Sequence, residues 1–93
     1  MFICLVTCEL HIYEAQSLKE KRAVVKKLIM RLKQRLNVAV AETNFQDVWQ
    51  RAEISFITIN SHKKAAEQEI NKALQMIDSL PQLERTITNL EWL

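Results

Sequence analysis

Basic side chains are concentrated in one short segment of this 93-residue sequence. Residues 17–36 hold eight basic residues and one acid, whereas the rest of the chain holds five basic residues and ten acids. The eight are Lys19, Lys21, Arg22, Lys26, Lys27, Arg31, Lys33 and Arg35. Cations at this density bind polyanions, because each phosphate contact releases condensed counterions. The segment therefore indicates RNA, DNA or an anionic membrane as the class of partner.

The spacing of these cations predicts two rows on one amphipathic helix. The apolar residues of the segment fall within about a third of the helix circumference, which is the width of a core-facing stripe: Leu18, Val25, Leu28, Ile29, Leu32 and Leu36. One row of cations contains Lys19, Arg22, Lys26 and Lys33, the other contains Lys27, Arg31 and Arg35, and Lys21 lies nearer the apolar edge. Because the stripe is expected to pack on a sheet, it is not free to enter lipid, and we predict no membrane partner.

A solvated helix face that only keeps the protein soluble is the alternative explanation of this charge. Such faces usually mix signs and carry Glu–Lys pairs four residues apart, whereas like charges at that spacing repel by about 0.2–0.5 kcal/mol. Lys27, Arg31 and Arg35 bear this repulsion without an acid among them. The cations near the start of the helix also oppose the helix dipole. We therefore favour polyanion binding.

The polar segment from Thr43 to Arg51 contains a second candidate contact. In one interpretation Trp49 stacks on a nucleic-acid base and Arg51 binds a phosphate. In the other, which is the commoner arrangement, Trp49 fills the edge of the core and Arg51 pairs with an acid. The sequence leaves both interpretations open.

Residue types that support enzyme chemistry are sparse. Glycine is absent, which removes the glycine-rich phosphate loop and the dinucleotide-binding fingerprint. Glu9, His11 and Glu14 could exchange protons, but they have no nucleophile and no orienting partner beside them in the sequence. We expect no enzymatic activity, no cofactor and no small-molecule substrate. A regulatory domain that binds a small molecule is a further hypothesis, which ranks below the two given at the end of this section.

The cysteines and histidines do not predict a metal site. Cys4 and Cys8 are four residues apart in a strand-like segment, so their α-carbons are about 13 Å apart, too far for a disulfide. His11 and His62 are too few and too isolated for zinc, which needs three or four converging ligands.

The first dozen residues lack a basic region and a cleavage site, so we predict neither a signal peptide nor a membrane span. Free thiols then favour a cytoplasmic location.

The elements that position these residues follow from hydrophobic periodicity. Alternation predicts strands at residues 2–13, 37–42 and 52–60, and a weaker one at residues 83–93. Ser17 with Glu20 has the spacing of a capping box at the start of the first helix, and Ser61 is expected to cap a second helix that ends at Leu80 and Pro81. The order βαββαβ predicts one domain over residues 1–93, an α+β, ferredoxin-like two-layer sandwich. Its four-stranded antiparallel sheet would carry both helices on one face.

Such a sheet leaves its second face uncovered. Ile3 and Leu5 are expected there, together with one of two pairs from the third strand, either Ile57 with Ile59 or Ile54 with Phe56. A bare apolar patch commonly binds a partner or a second copy of the same chain. We favour a homodimer.

Three motifs and a closing tripeptide resemble a known family. SLKEKR lies at residues 17–22, NVAVAE at 37–42, DVWQRAE at 47–53 and EWL at 91–93. In this order, over nearly the whole chain, they are similar to the YlxP-like family of small uncharacterised bacterial proteins. Its members are ferredoxin-like and are often encoded among genes for transcription-termination and translation-initiation factors, near that for ribosome-binding factor A.

The resemblance implies a role on RNA or on the small ribosomal subunit. The residues it implies are those of the motifs: Lys19, Lys21, Arg22, Glu42, Asp47, Trp49, Gln50 and Arg51. Members often have glycine near position 55, where this chain has Ser55, so a close backbone approach at that position is not implied here.

Our leading hypothesis is a non-enzymatic RNA-binding or ribosome-associated accessory protein that contacts phosphates through its first helix. Structured RNA is preferred to DNA because no helix-turn-helix or zinc finger is recognisable, and residues 52–60 lack the glycine-aromatic run of an RNA-recognition motif. The alternative is a protein-interaction module, which dimerises through the open sheet face and docks its basic helix on an acidic protein.

Overall fold

Six elements follow one another in the computed structural model, which describes every residue from Met1 to Leu93. They are β1 (Phe2–His11), α1 (Leu18–Arg35), β2 (Val38–Asn44), β3 (Arg51–Asn60), α2 (Lys63–Asp78) and β4 (Glu84–Trp92). The strands form one sheet in the order β2-β3-β1-β4, and each neighbouring pair is antiparallel. The predicted ferredoxin-like fold is confirmed. None of its helices is both long and apolar enough to cross a membrane.

The core lies between the sheet and the two helices. Alternate residues of the central strands are buried on the helix side of the sheet: Cys4, Val6, Cys8 and Leu10 of β1, and Ala52, Ile54, Phe56 and Thr58 of β3. The helices contribute Val25, Leu28, Leu32, Ala66, Ile70, Ala73 and Ile77. This alternation confirms the predicted buried face of β1, except at Phe2, which is partly exposed at the end of the strand.

The two helices begin differently. The Oγ of Ser17 accepts a hydrogen bond from the amide of Glu20 (3.1 Å), which confirms the predicted cap of α1. The Glu20 carboxylate accepts from the amide of Gln16 (2.7 Å). The prediction that Ser61 caps α2 is wrong, because the N-cap is His62, whose side chain makes no capping hydrogen bond. Asn60 Oδ1 accepts from the amide of His62 (3.0 Å), and this turn at the end of β3 moves the helix start one residue along the chain.

The register of the sheet selects between the two pairs proposed for the open face. Ile3 is opposite Ile59 and Leu5 is opposite Ile57, and residues that are directly opposite share a face. Ile57 and Ile59 therefore lie on the open face. Ile54 and Phe56 point to the helices and are buried.

Candidate functional site

Seven of the eight cations of α1 lie on its outer side. Six of them are exposed and Arg31 is half-buried. None of the seven forms a salt bridge within the protein. We call these seven residues the basic face: Lys19, Arg22, Lys26, Lys27, Arg31, Lys33 and Arg35. The opposite side of the helix packs on the core through Val25, Leu28 and Leu32, so these cations and the core residues lie on different sides of α1.

An uncharged strip runs along the middle of the basic face. Ala23, Met30 and Gln34 lie in one shallow depression together with Lys26, Lys27 and Arg31. Met30 is 48% exposed although it is a large apolar residue. This strip is absent from the site predicted above. The helical wheel does contain the signal, since these three residues fall opposite the apolar stripe at about 100° per residue. The basic face thus has cations on either side of a neutral centre.

Lys21 does not belong to the basic face, which corrects the prediction that it contacts nucleic acid. Its side chain has no exposed surface, and its Nζ lies 2.9 Å from Oε2 of Glu42. The same Nζ donates a hydrogen bond to the carbonyl oxygen of Phe45 (2.5 Å). A buried ammonium needs such partners because removing it from water is costly. Lys21 therefore joins α1 to β2 and to the loop that follows β2.

The loop between β2 and β3, residues 45–50, is held at both of its ends. Phe45 has a positive φ of 62°, its amide is bound by the Oδ1 of Asn44 (2.8 Å), and Lys21 binds its carbonyl oxygen. At the other end, the carbonyl oxygen of Gln50 accepts from the amide of Ile12 (2.9 Å). The Nε2 of Gln50 donates to the carbonyl oxygen of Ala15 (3.2 Å). These contacts attach the loop to the connection between β1 and α1 and to the first turns of α1.

At the end of this loop, Trp49 is exposed to solvent and Arg51 forms an ion pair. Trp49 is 48% exposed, so the interpretation that it fills the edge of the core is wrong. Arg51 donates to the Glu9 carboxylate and its guanidinium lies 4.0 Å from the centre of the Phe45 ring. In the sheet Arg51 is opposite His11 and projects from the open face, away from α1. Arg51 thus pairs with an acid, as in the second interpretation, and its phosphate contact stays a prediction because 51% of its side chain is exposed.

Two carboxylates lie side by side on the polar half of the open face. Glu9 and Glu53 are directly opposite each other, but each carboxylate has its own partner. Arg51 pairs with Glu9, and Thr43 Oγ1 donates to Glu53 (2.7 Å). No three histidine, cysteine or acidic side chains lie close enough together to hold a metal ion. Each carboxylate of this pair therefore accepts a hydrogen bond from a side chain of the protein.

Perturbed pKa values in this protein have structural causes that lie outside the basic face. Burial raises the pKa of the Cys4 and Cys8 thiols. A hydrogen bond to the Glu84 carboxylate raises the pKa of the Tyr13 hydroxyl. The hydrogen bonds between Asp78 and Arg85 lower the pKa of the carboxyl group.

The sequence of this chain matches one protein family and one bacterial protein over most of its length. Residues 3–90 match the family described as "Protein of unknown function (DUF503)". The chain is 45% identical over 85 residues to the protein described as "Uncharacterized protein YlxP" from Bacillus subtilis (strain 168), covering 91% of this chain and 92% of that one. Nearly every residue discussed above lies within the matched range.

Two solved structures match this chain at low sequence identity. A dimeric ferredoxin-like protein from an uncultured marine organism matches 100% of this chain and 96% of its own, with a TM-score of 0.50 and 10% identity. A REP-associated tyrosine transposase bound to a REP hairpin matches 98% of this chain with a TM-score of 0.46 and 10% identity, and this chain spans 55% of its length. The first supports the ferredoxin-like fold, and the second is too distant to carry an argument. By its sequence, this chain belongs to the DUF503 family, together with YlxP.

Proposed function

We propose that this protein is a non-enzymatic, cytoplasmic accessory factor that binds structured RNA, on the small ribosomal subunit or elsewhere, through the basic face of α1. The observation that carries the proposal is the set of seven outward-facing cations without any internal ion pair. Cations arranged in this way retain their full capacity for phosphate. The resemblance of the sequence motifs to a family encoded near translation-factor genes favours the ribosome as the location of that RNA.

The charge on α1 is poorly explained by stability. Glu20 is the one acid of the helix, and its carboxylate binds the amide of Gln16 and forms no salt bridge with a cation of α1. Exposed like charges one turn apart destabilise a helix by about 0.2–0.5 kcal/mol per pair. An anionic partner would remove this repulsion, and the core side of α1 is already packed against the protein. Phosphate binding therefore gives the unpaired charge a function.

The geometry of the basic face favours the backbone of a double helix. α1 has 18 residues and is about 27 Å long. Its two rows of cations lie on either side of the neutral strip of Ala23, Met30 and Gln34. An A-form duplex has a wide, shallow minor groove with phosphates on both sides and ribose hydroxyls between them. A helix with this charge pattern can lie over that groove, contact both strands and read shape more than sequence.

Salt dependence and a matched pair of variants test the proposal. If about five phosphates are contacted, the logarithm of the affinity should fall against the logarithm of salt concentration with a slope of about −3.5 to −4.5. The triple variant K26Q/K27Q/K33Q should bind a short RNA hairpin much more weakly and with a shallower slope. The control K63Q/K64Q/K72Q removes the same charge from α2, where all three lysines are also exposed. It should retain most of the affinity.

Equal losses in the two triple variants would show attraction by net charge without a defined contact. Absence of any RNA binding by the unmodified protein at low salt would reject the proposal. Sedimentation of a cell lysate through a sucrose gradient then addresses location. Co-migration with small ribosomal subunits at moderate salt supports the ribosomal assignment, whereas a slowly sedimenting dimer favours the second candidate below.

A homodimeric protein-interaction module is the second candidate function. Ile3, Leu5, Ile57 and Ile59 form an apolar half of the open sheet face, and Ile59 is 47% exposed. The ferredoxin-like structure with the same fold is described as dimeric. In this candidate the sheet face joins two copies and the basic face docks on an acidic protein. Sedimentation equilibrium of the unmodified protein and of I59E tests it, because a charge within the patch should yield a monomer.

A further inference from the structure

Trp49 is exposed on a loop that is anchored at both ends. Trp49 and its neighbour Val48 are 48% and 41% exposed. Large aromatic side chains are usually covered when a core is available, since they have the most apolar surface to remove from water. The two cation–π contacts of the protein involve the rings of Phe45 and Trp92, so no cation covers Trp49. Its indole therefore has a free surface for a ligand.

Hydrogen bonds on both sides of Trp49 hold the loop in place. The loop is anchored before Trp49 by Lys21, which binds the carbonyl oxygen of Phe45 at 2.5 Å. It is anchored after Trp49 by Gln50, which bonds to the connection between β1 and α1 through its side chain and its carbonyl oxygen. An anchored loop loses less conformational entropy than a free one when its aromatic residue binds a planar ligand. The loop thus presents Trp49 in a preorganised position.

Trp49 lies at the end of the molecule where the basic face begins. The loop, the end of β1 and the start of α1 lie at the same end of the sheet, because His11 is opposite Arg51 in the register. The same end holds Lys19 and Arg22, which are exposed and form no salt bridge. The positive pole of the α1 dipole adds to their field. An RNA backbone that follows the basic face towards the start of α1 would bring its next nucleotide to the loop.

We infer that Trp49 stacks on an unpaired base, and that the preferred ligand is an RNA duplex with single-stranded nucleotides at one end. This inference rests on the proposed function and specifies its ligand. Aromatic side chains suit unpaired bases because every base has a stacking face, whereas bases inside a duplex are already stacked on each other. The duplex would supply phosphates for the basic face, and the overhang would supply the base for Trp49.

Two RNA probes and three tryptophan variants test the inference. The probes are a blunt RNA duplex and the same duplex extended by a short single-stranded tail. In the W92F protein Trp49 is the remaining tryptophan, so its fluorescence reports contact with the tail. We expect the tailed duplex to bind about 5- to 150-fold more tightly than the blunt one, the range for stacking on one base. The tail should also quench Trp49 fluorescence, whereas the blunt duplex should not.

The variant W49A should lose this preference, and W49F should retain part of it because phenylalanine still offers a ring. W92F serves as the matched control, since Trp92 pairs with Cys4 at the opposite end of β1 and should not affect the preference. Circular dichroism melting verifies that each variant is folded. Salt-dependent binding of both RNAs without preference or quenching would overturn the inference and leave the proposed function standing. Binding of neither RNA would overturn both.

Discussion

The buried ammonium of Lys21 lies 2.9 Å from the carboxylate of Glu42, and this pair connects the first helix to the second strand. Lys21 is fully buried, whereas 18% of the Glu42 side chain is exposed. The ammonium also binds the carbonyl oxygen of Phe45. One side chain thus holds α1, β2 and the loop with Trp49 in a fixed relation.

Replacement of Lys21 by methionine should lower the free energy of unfolding by about 2–4 kcal/mol, because it leaves the Glu42 carboxylate without its partner in a largely buried place. Urea denaturation measures the change. Lys27→Met is the control, since it alters an exposed lysine of the same helix and should change the free energy by no more than about 0.5 kcal/mol. The double variant K21M/E42M should recover part of the loss because no unpaired charge remains. Similar effects of K21M and K27M would contradict the structural role of Lys21.

Phe45 has a left-handed backbone conformation that favours glycine, with φ at 62°. Phe45→Gly and Phe45→Ala both remove the ring beneath the Arg51 guanidinium, so both variants lose the same cation–π contact. Alanine keeps the steric conflict of a β-carbon, whereas glycine removes it. We expect the glycine variant to be more stable than the alanine variant by about 1 kcal/mol in chemical denaturation. The reverse order would show that φ at this position relaxes when the ring is removed.

The ion pair between Asp78 and Arg85 should make part of the stability depend on acid pH. Arg85 Nε and Nη2 donate to the two carboxylate oxygens of Asp78 at 2.9 and 2.7 Å, which joins the end of α2 to β4. These bonds hold the pKa of Asp78 below its ordinary value of 3.8. A depressed pKa contributes stability above the unfolded-state value, and this is lost as the pH falls through the folded-state value.

The variant D78N should therefore be less stable than the unmodified protein near neutral pH, by about 0.5–1 kcal/mol, since the carboxylate is half exposed and partly screened. The difference should shrink once the pH is low enough to protonate Asp78. Urea denaturation of both proteins across the acid range measures it. A constant difference between them at all pH values would show that the carboxylate charge is not responsible.

Cys4 and Cys8 should be unreactive in the folded protein. Both thiols are fully buried, and burial raises their pKa because the thiolate is poorly solvated in the core. A thiol reagent at neutral pH should modify them only as fast as the protein unfolds. The rate should rise steeply with added urea and reach that of an exposed thiol in fully denatured protein. Rapid labelling without denaturant would indicate that β1 opens to solvent in the native state.

The periodicity of the sequence predicted most of the fold. The alternation in residues 2–13 identified the buried face of β1, and the Ser17 and Glu20 pair located the start of α1, because both signals depend on neighbours a few residues apart. The start of α2 was misplaced by one residue. The Oδ1 of Asn60 accepts a hydrogen bond from the amide of His62, in a turn that precedes the N-cap at His62. The spacing of residues does not show which of several neighbouring polar residues caps the helix.

The candidate site was predicted less completely. The basic face followed from the helical wheel, since charge and apolar residues separate on a single element. Lys21 was included wrongly, because the partner that permits its burial, Glu42, is 21 residues away on another strand. Arg51 was uncertain for the same reason, as its partner Glu9 is a neighbour only across the sheet.

The sequence by itself determined the elements, their order, the antiparallel sheet with one buried face and the concentration of charge on α1, because all of these arise from local spacing. The tertiary structure decided which cations remain free, which half of the open face is apolar, and that Trp49 is exposed beside the start of α1. These outcomes depend on strand register and on contacts between residues far apart in the chain, where burial of a charge requires a partner that only the folded chain supplies.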